Sequence, residues 1–291
     1  MQDIQLLISG ISQGCIYGLI ALGFCLIYKA TEAVNFAQGD LMMLGAFFGL
    51  SVTTVLGAPF WVSILVAMAI MAAFGMGLEW LILRPVLGQP TFTVVMVTIG
   101  FGFIARGVAT MIPGWGTDTH SFDASFKGQT AKFAGLVIGM EHIVVIVSTI
   151  VLCLALFLYF RFTRMGVAMQ AASQNQLAAY YMGIPVRRLN GLIWAISAAV
   201  AAVAGILLAP ITFVHANMGF IGLKAFPAAV VGGFGSLPGA IAGGLVIGIV
   251  ESFSGFYLPE GFKDVAAYIV VLVMLMIWPY GLFGERLRKR V

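Results

Sequence analysis

Long uninterrupted runs of apolar residues, separated by short polar stretches, dominate the sequence. Most of these runs approach or reach the ~20 residues that a helix needs to cross the hydrocarbon core of a bilayer. Hydrocarbon offers no partner to backbone N–H and C=O groups, so the pattern predicts helices that satisfy their own hydrogen bonds. The eight runs are Ile4–Tyr28, Leu41–Leu56, Phe60–Leu83, Phe92–Ile112, Ile143–Phe160, Asn190–Val214, Ala225–Val250 and Val265–Phe283. The first run is too long for a cleaved signal peptide and is expected to remain as a helix.

The composition indicates lipid, rather than water, as the solvent for most of the chain. Hydrophobic residues make up 61% of the 291 residues and charged residues only 9%, against roughly 25% charged residues in soluble domains. The sequence therefore predicts an all-α polytopic membrane protein, with residues 1–291 forming one transmembrane domain. The three cysteines lie inside apolar runs without C-x-x-C spacing, so neither a disulfide framework nor a metal site is predicted.

Basic residues are concentrated in two stretches that predict the orientation of the chain. Arg161–Asn190 holds four arginines and no acidic residue, and Glu285–Arg290 holds four more basic residues. Short basic loops stay on the cytoplasmic side of a membrane. The loop at about 161–190 and the C-terminus are therefore predicted to be cytoplasmic. The N-terminus and the mixed-charge loop at about 113–135 are predicted to be external.

One apolar run must be broken, because three runs lie between two cytoplasmic stretches, Arg187–Arg188 and Arg286. The run Ala225–Val250 contains GGFGSLPG, where proline lacks an N–H and glycine lets the chain bend. We predict two short helices here, arranged either as a re-entrant hairpin or as a tight pair. The residues of this break are Gly232, Gly233, Gly235, Ser236, Pro238 and Gly239.

The glycines of this break do not form a nucleotide-binding loop. Such a loop requires a lysine followed by serine or threonine, whereas Ala240 and Ile241 follow Gly239. Small residues at four-residue spacing instead favour close packing of helices in lipid. Glycines with this spacing are Gly239 and Gly243, Gly244 and Gly248, and Gly10, Gly14 and Gly18. Because no catalytic motif is present either, we do not expect an enzyme.

A short polar segment, Asn35–Asp40, separates the first two apolar runs. One interpretation is an interfacial turn in which Asp40 caps the following helix. The other is a gating element formed by Asn35, Gln38 and Asp40. The remaining charges near the ends of the runs are expected to snorkel or to form local pairs, as Glu79 and Arg84 can do.

The stretch Met165–Asn190 predicts a helix at the membrane surface. Its helix formers stop at Gly183, with Pro185 just beyond, which is a typical helix end. An apolar face is available from Leu177, Tyr180, Tyr181 and Met182. The residues leave two interpretations open: a helix resting on the membrane, or a helix that docks into the groove of a cytoplasmic partner.

Four stretches of the chain resemble one known family, the branched-chain amino-acid family of ABC importer permeases. They cover much of the sequence: GCIYGLIALGFCLIYKATEAVNFAQGDLMMLGA (Gly14–Ala46), RMGVAMQAASQNQLAAYYMGIPVRRLN (Arg164–Asn190), GLKAFPAAVVGGFGSLPGAIAGGLVIGIVE (Gly222–Glu251) and WPYGLFGE (Trp278–Glu285). The family often has histidine where Gln38 stands, and the external loop of this chain is longer than is typical.

The resemblance implies a division of labour in the bacterial inner membrane. It implies a second, homologous permease as a heterodimer partner, two cytoplasmic ATPases that bind Mg-ATP, and a periplasmic substrate-binding protein. No cofactor is expected in this chain, and no nucleic-acid partner. The cargo would be branched-chain or related amino acids, or alternatively urea or short-chain amides. The residues expected to couple to the ATPases are Gln174, Asn175, Ala178, Ala179, Gly183, Ile184 and Arg187.

Two further hypotheses concern the pathway. The helix that follows Pro238 could direct its N-terminal amides at a substrate carboxylate, as broken helices do in other transporters, or the break could be purely structural. A stand-alone carrier or channel is the rival to an importer subunit. It predicts matching broken segments in both halves, whereas the sequence shows one clear break and a softer irregularity at Asn35–Asp40.

Overall fold

The computed structural model describes residues 2–86, 88–133, 136–259 and 261–284. These residues form a bundle of α-helices with one two-stranded sheet, which confirms the predicted all-α membrane architecture. The elements are α1 Gln2–Thr31, α2 Gln38–Leu56, α3 Phe60–Leu78 extended by a π-helical turn Glu79–Leu83, α4 Thr91–Met111, β1 Thr130–Phe133, β2 Leu136–Gly139, α5 Met140–Phe162, α6 Arg164–Gln174, α7 Gln176–Tyr181, α8 Val186–Thr212, α9 Gly219–Gly232, α10 Leu237–Tyr257 and α11 Phe262–Ile277. By length and composition, α1, α2, α3 with its π turn, α4, α5, α8 and α10 can each cross a membrane.

The helices are arranged around two central ones, α1 and α8, which are buried along most of their length. The outer helices instead present large apolar side chains to their surroundings. On α5, for example, Val147, Ile150 and Leu154 are each more than half exposed. Apolar surface on this scale requires a lipid environment or a protein partner, so the outer helices face the bilayer or another subunit.

Glycines bring α1 and α10 into backbone contact, as their four-residue spacing predicts. A Cβ atom at Gly14 would lie 2.8 Å from the carbonyl oxygen of Gly244, and one at Gly10 would lie 2.9 Å from Ile249 Cα. Gly248 packs in the same way against the backbone at Gly10 and Gly14. Lipid gives no hydrophobic force between helices, so close van der Waals contact stabilises this pair.

The predicted break in Ala225–Val250 is confirmed, but its two helices differ in length. α9 has 14 residues and α10 has 21, so the prediction of two short helices is wrong for α10. The Tyr257 hydroxyl at the end of α10 bonds Asp3 at the start of α1. Ser236 and Lys29, at the other ends of these helices, line the same cavity. α10 therefore runs antiparallel along nearly all of α1. α9 and α10 form a tight pair, since a Cβ atom at Gly243 of α10 would collide with the Ala228 carbonyl oxygen of α9.

Two opposite ends of the bundle can be distinguished. The hairpin end carries residues 112–133 and 136–139, where β1 and β2 pair in antiparallel register from Thr130↔Gly139, and His120 pairs with Val214. The basic end carries residues 162–188, with α6 and α7. The strands were not predicted, because four-residue strands are too short to give a clear alternating pattern. The C-terminal basic stretch Glu285–Arg290 lies outside the described residues.

Candidate functional site

The segment Asn35–Asp40 is buried inside the helix bundle. Asn35, Gln38 and Asp40 are each at most 1% exposed, so the interpretation of an interfacial turn is wrong. The side chain of Gln38 reaches the middle of α8, where its Nε2 lies 3.4 Å from the Ser197 carbonyl oxygen and its Oε1 lies 3.1 Å from Ser197 Oγ. Ser197 Oγ also lies 3.1 Å from the carbonyl oxygen of Gly23 on α1. These contacts connect the start of α2 to both central helices.

Asp40 forms an ion pair instead of capping α2. The N-cap residue is Ala37, which makes no side-chain cap hydrogen bond. Arg106 on α4 donates to both carboxylate oxygens of Asp40, from Nε at 2.6 Å and from a terminal guanidinium nitrogen at 3.2 Å. The sequence predicts that charges near the ends of the runs snorkel or pair locally, whereas Arg106 pairs with a residue 66 positions away in the sequence. A charge this deeply buried requires a partner, because its desolvation is otherwise uncompensated.

Small and aromatic residues enclose this ion pair. The Arg106 guanidinium carbon lies 3.9 Å from the centre of the Phe220 ring, within the range of a cation–π interaction. Gly102 on α4 and Gly219 at the start of α9 both abut the Asp40 carboxylate, and a Cβ atom at either position would collide with it. We define the buried junction as Asn35, Gln38, Asp40, Arg106 and Ser197. Its ion pair and hydrogen bonds join α1, α2, α4 and α8, and α9 packs against it.

The buried junction contains partners for the predicted gating residues that the sequence analysis missed. Arg106 is the one charged residue in the run Phe92–Ile112, and Asp40 directly precedes a run without charges. The available signal was an acidic residue at the start of one apolar run and a single basic residue inside another. Chemically, the junction can hold four helices in one arrangement through charge and hydrogen bonds. A gating role for Asn35, Gln38 and Asp40 stays a prediction.

The break between α9 and α10 is held by the C-terminal segment. α9 ends at Gly232, and Gly233 follows with φ +95°, a conformation that favours glycine. The Leu282 N–H donates to the Val231 carbonyl oxygen at 2.8 Å, and the Phe283 N–H donates to that of Gly232 at 3.1 Å. The structure thus brings together two of the stretches that carry the family resemblance, GGFGSLPG and WPYGLFGE.

The residues of the break divide into two groups. Gly232 and Gly239 form a backbone contact in which a Cβ atom at either would collide with the other residue's carbonyl group. Gly235, Ser236 and Pro238 line a groove at the basic end of the bundle. Ser236 caps α10, since its Oγ accepts a hydrogen bond from the Gly239 N–H at 3.1 Å. Substrate recognition by the α10 N-terminus stays a prediction.

The stretch predicted as one amphipathic helix is two helices, α6 and α7. Asn175 separates them in an extended conformation, with φ −158° and ψ 102°, and its Oδ1 accepts from the Ala178 N–H at 2.9 Å. An asparagine side chain competes for backbone N–H groups in this way, which favours a helix start over a helix interior. The predicted end is confirmed, because Gly183 has φ +81° and follows the last turn of α7.

α7 presents an apolar face outward at the basic end. Leu177, Tyr180, Tyr181 and Met182 are between 64% and 82% exposed. Gln176 attaches the helix to the rest of the chain, since its Nε2 donates to the Ala30 carbonyl oxygen near the end of α1. Of the predicted coupling residues, Ile184 is half-buried and Ala179 is buried, and the exposed ones are Gln174, Asn175, Ala178, Gly183 and Arg187.

The predicted pair between Glu79 and Arg84 is confirmed. A terminal guanidinium nitrogen of Arg84 lies 3.0 Å from Glu79 Oε2, and the Glu79 side chain is 1% exposed. The two residues flank the π-helical turn Glu79–Leu83, where the Arg84 N–H donates to the Glu79 carbonyl oxygen at 2.7 Å. The pair lies where α3 approaches α8, near Gly191.

These features define a class of protein: a multi-pass helical membrane protein with a polar, buried junction and an exposed apolar helix face at one end. Residues 6–278 match the family model for the permease component of branched-chain amino acid transport systems. The chain therefore belongs to the branched-chain amino acid transport permease family.

Two curated relatives and one solved structure accompany this assignment. The chain is 31% identical to the high-affinity branched-chain amino acid transport system permease protein LivH of Escherichia coli, over 97% of this chain and 96% of the relative. It is 30% identical to the corresponding protein BraD of Pseudomonas aeruginosa, with the same coverage. PsaBC from Streptococcus pneumoniae, solved in complex with a Fab, shares the fold with a TM-score of 0.51 at 16% identity, over 96% of this chain and 92% of that one.

Proposed function

We propose that this chain is the membrane-spanning permease subunit of an ATP-driven ABC importer for branched-chain or related amino acids. The observation that carries the proposal is the similarity to LivH and BraD over 97% of the chain. Urea and short-chain amides are the alternative cargo. The chain itself catalyses no reaction in this proposal.

The energy for transport comes from partner ATPases that bind Mg-ATP. Their docking surface on this chain is the apolar face of α7, which is unusual because it combines large apolar side chains with the most basic part of the described chain. Exposed aromatic and aliphatic side chains on one short helix suit insertion into a groove of a partner. A homologous second permease completes the membrane assembly as a heterodimer, and a periplasmic binding protein delivers the cargo.

The orientation follows from the distribution of charge in a bacterial inner membrane. The basic end carries Arg161, Arg164, Arg187 and Arg188, and positively charged connections remain in the cytoplasm. The C-terminus is then cytoplasmic as well. The hairpin end and the N-terminus of α1 face the periplasm, where a binding protein would meet them.

The described contacts suggest how movement of the ATPases would reach the pathway. Closure of the ATPases on ATP would displace α6 and α7, which the Gln176–Ala30 hydrogen bond joins to the end of α1. α1 packs along α10 through backbone contacts and meets the buried junction at Gly23. Displacement of α1 would therefore act on the Asp40–Arg106 pair, whose helices would open the pathway alternately to each side.

Reconstituted transport tests the proposal. The chain is co-expressed with its second permease, the ATPases and the binding protein, and placed in liposomes with ATP inside or outside. We expect leucine uptake that requires both ATP and the binding protein, and weaker uptake of acetamide or urea. Leucine uptake by the chain alone, without ATP, would indicate a stand-alone carrier. ATP-driven uptake of urea in preference to leucine would favour the alternative cargo.

A further inference from the structure

The proposed function assigns no occupant to a groove at the basic end of the bundle, which Gly235, Ser236 and Pro238 of the break help to line. The groove has a volume of about 660 Å³ and lies where α5 and α10 both pack against α1. Leu22 and Leu26 of α1 form its floor, and Leu156 and Phe157 of α5 and Ile241 of α10 line it from the sides.

Two cations lie in this groove without an ionic partner. Lys29 and Arg161 both line it, and neither forms a salt bridge with any residue in the part of the chain that the structure describes. No aspartate or glutamate is among the described residues that line the groove. The N-terminal end of α10, from Ser236, adds the positive end of its helix dipole. The groove thus has a positively charged part near the ends of α1 and α5 and an apolar part deeper in the bundle.

The charged part and the apolar part of the groove are spaced like the headgroup layer and the acyl-chain layer of one lipid leaflet. Lys29 and Arg161 are near the ends of α1 and α5, which end at Thr31 and Phe162. Leu22 and Cys153 lie seven and eight residues earlier on the same helices, about 10–12 Å deeper at 1.5 Å per residue. The apolar part of the groove therefore extends through roughly a third of a ~30 Å hydrocarbon core, with the cations at the depth of the headgroups.

We propose that this groove binds one anionic phospholipid, with its phosphate between Lys29 and Arg161 and an acyl chain along Leu22, Leu26 and Ile241. Basic pockets between transmembrane helices bind anionic headgroups in this way. The groove also opens to the outside of the bundle, since Phe157 on its rim is 52% exposed. The carboxylate of a free amino acid could pair with Lys29 and Arg161, but the apolar floor of the groove would then remain without a contact.

The bound lipid would also contact the segment that leads to the docking helix. Met169, Gln170 and Ser173 of α6 line the groove, and Gln170 Nε2 donates to the Phe160 carbonyl oxygen at 3.3 Å. An anionic lipid would therefore hold α6 against α1 and α5. This inference goes beyond the proposed function, and its test measures lipid binding rather than transport, so the two can fail separately.

The test is native mass spectrometry of the purified importer complex, titrated with phosphatidylglycerol or phosphatidylcholine. The variant Lys29→Gln/Arg161→Gln removes both cations, and Arg188→Gln removes one charge from the same end outside the groove. We expect one phosphatidylglycerol site that the double variant weakens about 25-fold, at about fivefold for each cation near the headgroups. Wild type and Arg188→Gln should retain it. Equal affinities for the two lipids, or for the double variant and the control, would overturn the proposal.

A second measurement identifies the occupant directly. A photo-crosslinking amino acid at Phe157 should form an adduct with phosphatidylglycerol in the assembled importer. An adduct with an ATPase or with the second permease would show that a protein covers the groove, and would overturn the proposal. Displacement of the lipid by millimolar leucine would overturn it as well, since the groove would then be a cargo site.

Discussion

The Asp40–Arg106 pair shows how two isolated charges can be accommodated inside an apolar bundle. The Asp40 side chain is 2% exposed and that of Arg106 is 16% exposed. Each oxygen of the carboxylate accepts one hydrogen bond from the same guanidinium group, a geometry in which arginine differs from lysine. Desolvation of the two charges opposes their Coulomb attraction, so the net stabilisation by the intact pair is small. Neutralising only one of the two residues destabilises the protein by more than that net amount.

Removing one charge of this pair is expected to destabilise the protein strongly. In Asp40→Asn or Arg106→Gln, the remaining charge stays buried without a partner, which costs on the order of 3 kcal/mol. The double variant Asp40→Asn/Arg106→Gln should recover most of this loss. Thermal unfolding of the detergent-solubilised chain measures all four proteins as a double-mutant cycle. Additive losses in the double variant would show that the two residues are not coupled.

At the scale of single elements, α7 leaves every side chain except that of Ala179 exposed by the described part of the chain. Ala179 is buried and faces the bundle, whereas Tyr181 is 77% exposed and Met182 is 82% exposed. Six residues cannot form a stable helix by propensity alone, so the Asn175 cap and the Gln176–Ala30 hydrogen bond fix it in place. A test of docking should therefore change the exposed face and leave Ala179 intact.

The substitution Tyr181→Glu is expected to weaken ATPase binding by tenfold or more. It places a charge in an apolar contact, and buried tyrosines at interfaces often contribute about 2 kcal/mol or more to binding. Tyr181→Phe, which keeps the apolar ring, is the matched control and should bind within about twofold of wild type. Co-purification of the ATPases measures the effect, and size-exclusion chromatography checks that the variants fold. Normal assembly of Tyr181→Glu would exclude this face as the docking surface.

At the scale of the whole molecule, the two ends of the bundle differ in chemistry. The hairpin end has mixed charge and a small sheet, whereas the basic end carries four arginines without acidic residues between Arg161 and Arg188. The proposed function requires the basic end to face the cytoplasm, since ATP is available there. The proposed docking of the ATPases at the basic end and of the binding protein at the hairpin end therefore both depend on this orientation.

Labelling of introduced thiols should locate the two ends. With a membrane-impermeant thiol reagent, Ser125→Cys at the hairpin end should react on intact cells or spheroplasts. Gln174→Cys, an exposed position at the basic end, should react only after the membrane is opened. Cys15 and Cys25 are buried and Cys153 is half-buried, so the unsubstituted chain is the control for background labelling. Reaction of Gln174→Cys from outside would reverse the proposed orientation.

The apolar helical segments and the broken segment could be predicted from the sequence, because each depends on properties of consecutive residues. A membrane imposes a minimum helix length, and a proline among glycines interrupts a helix wherever it occurs. The spacing of Gly10, Gly14 and Gly18 also predicted a close helix contact, although the spacing could not identify α10 as the partner. The break at Asn175 and the strands β1 and β2 were missed, because each rests on only a few residues.

The sequence by itself determined that this chain is a helical membrane permease with a basic end and a polar segment at Asn35–Asp40. Only the tertiary structure decided that this segment is buried, that Asp40 pairs with Arg106, and that Lys29 and Arg161 line one groove. The pattern of consecutive residues predicts whether each helix lies in lipid or in water. Which charge neutralises which, across 66 positions for Asp40 and Arg106, depends on how the helices pack around α1 and α8.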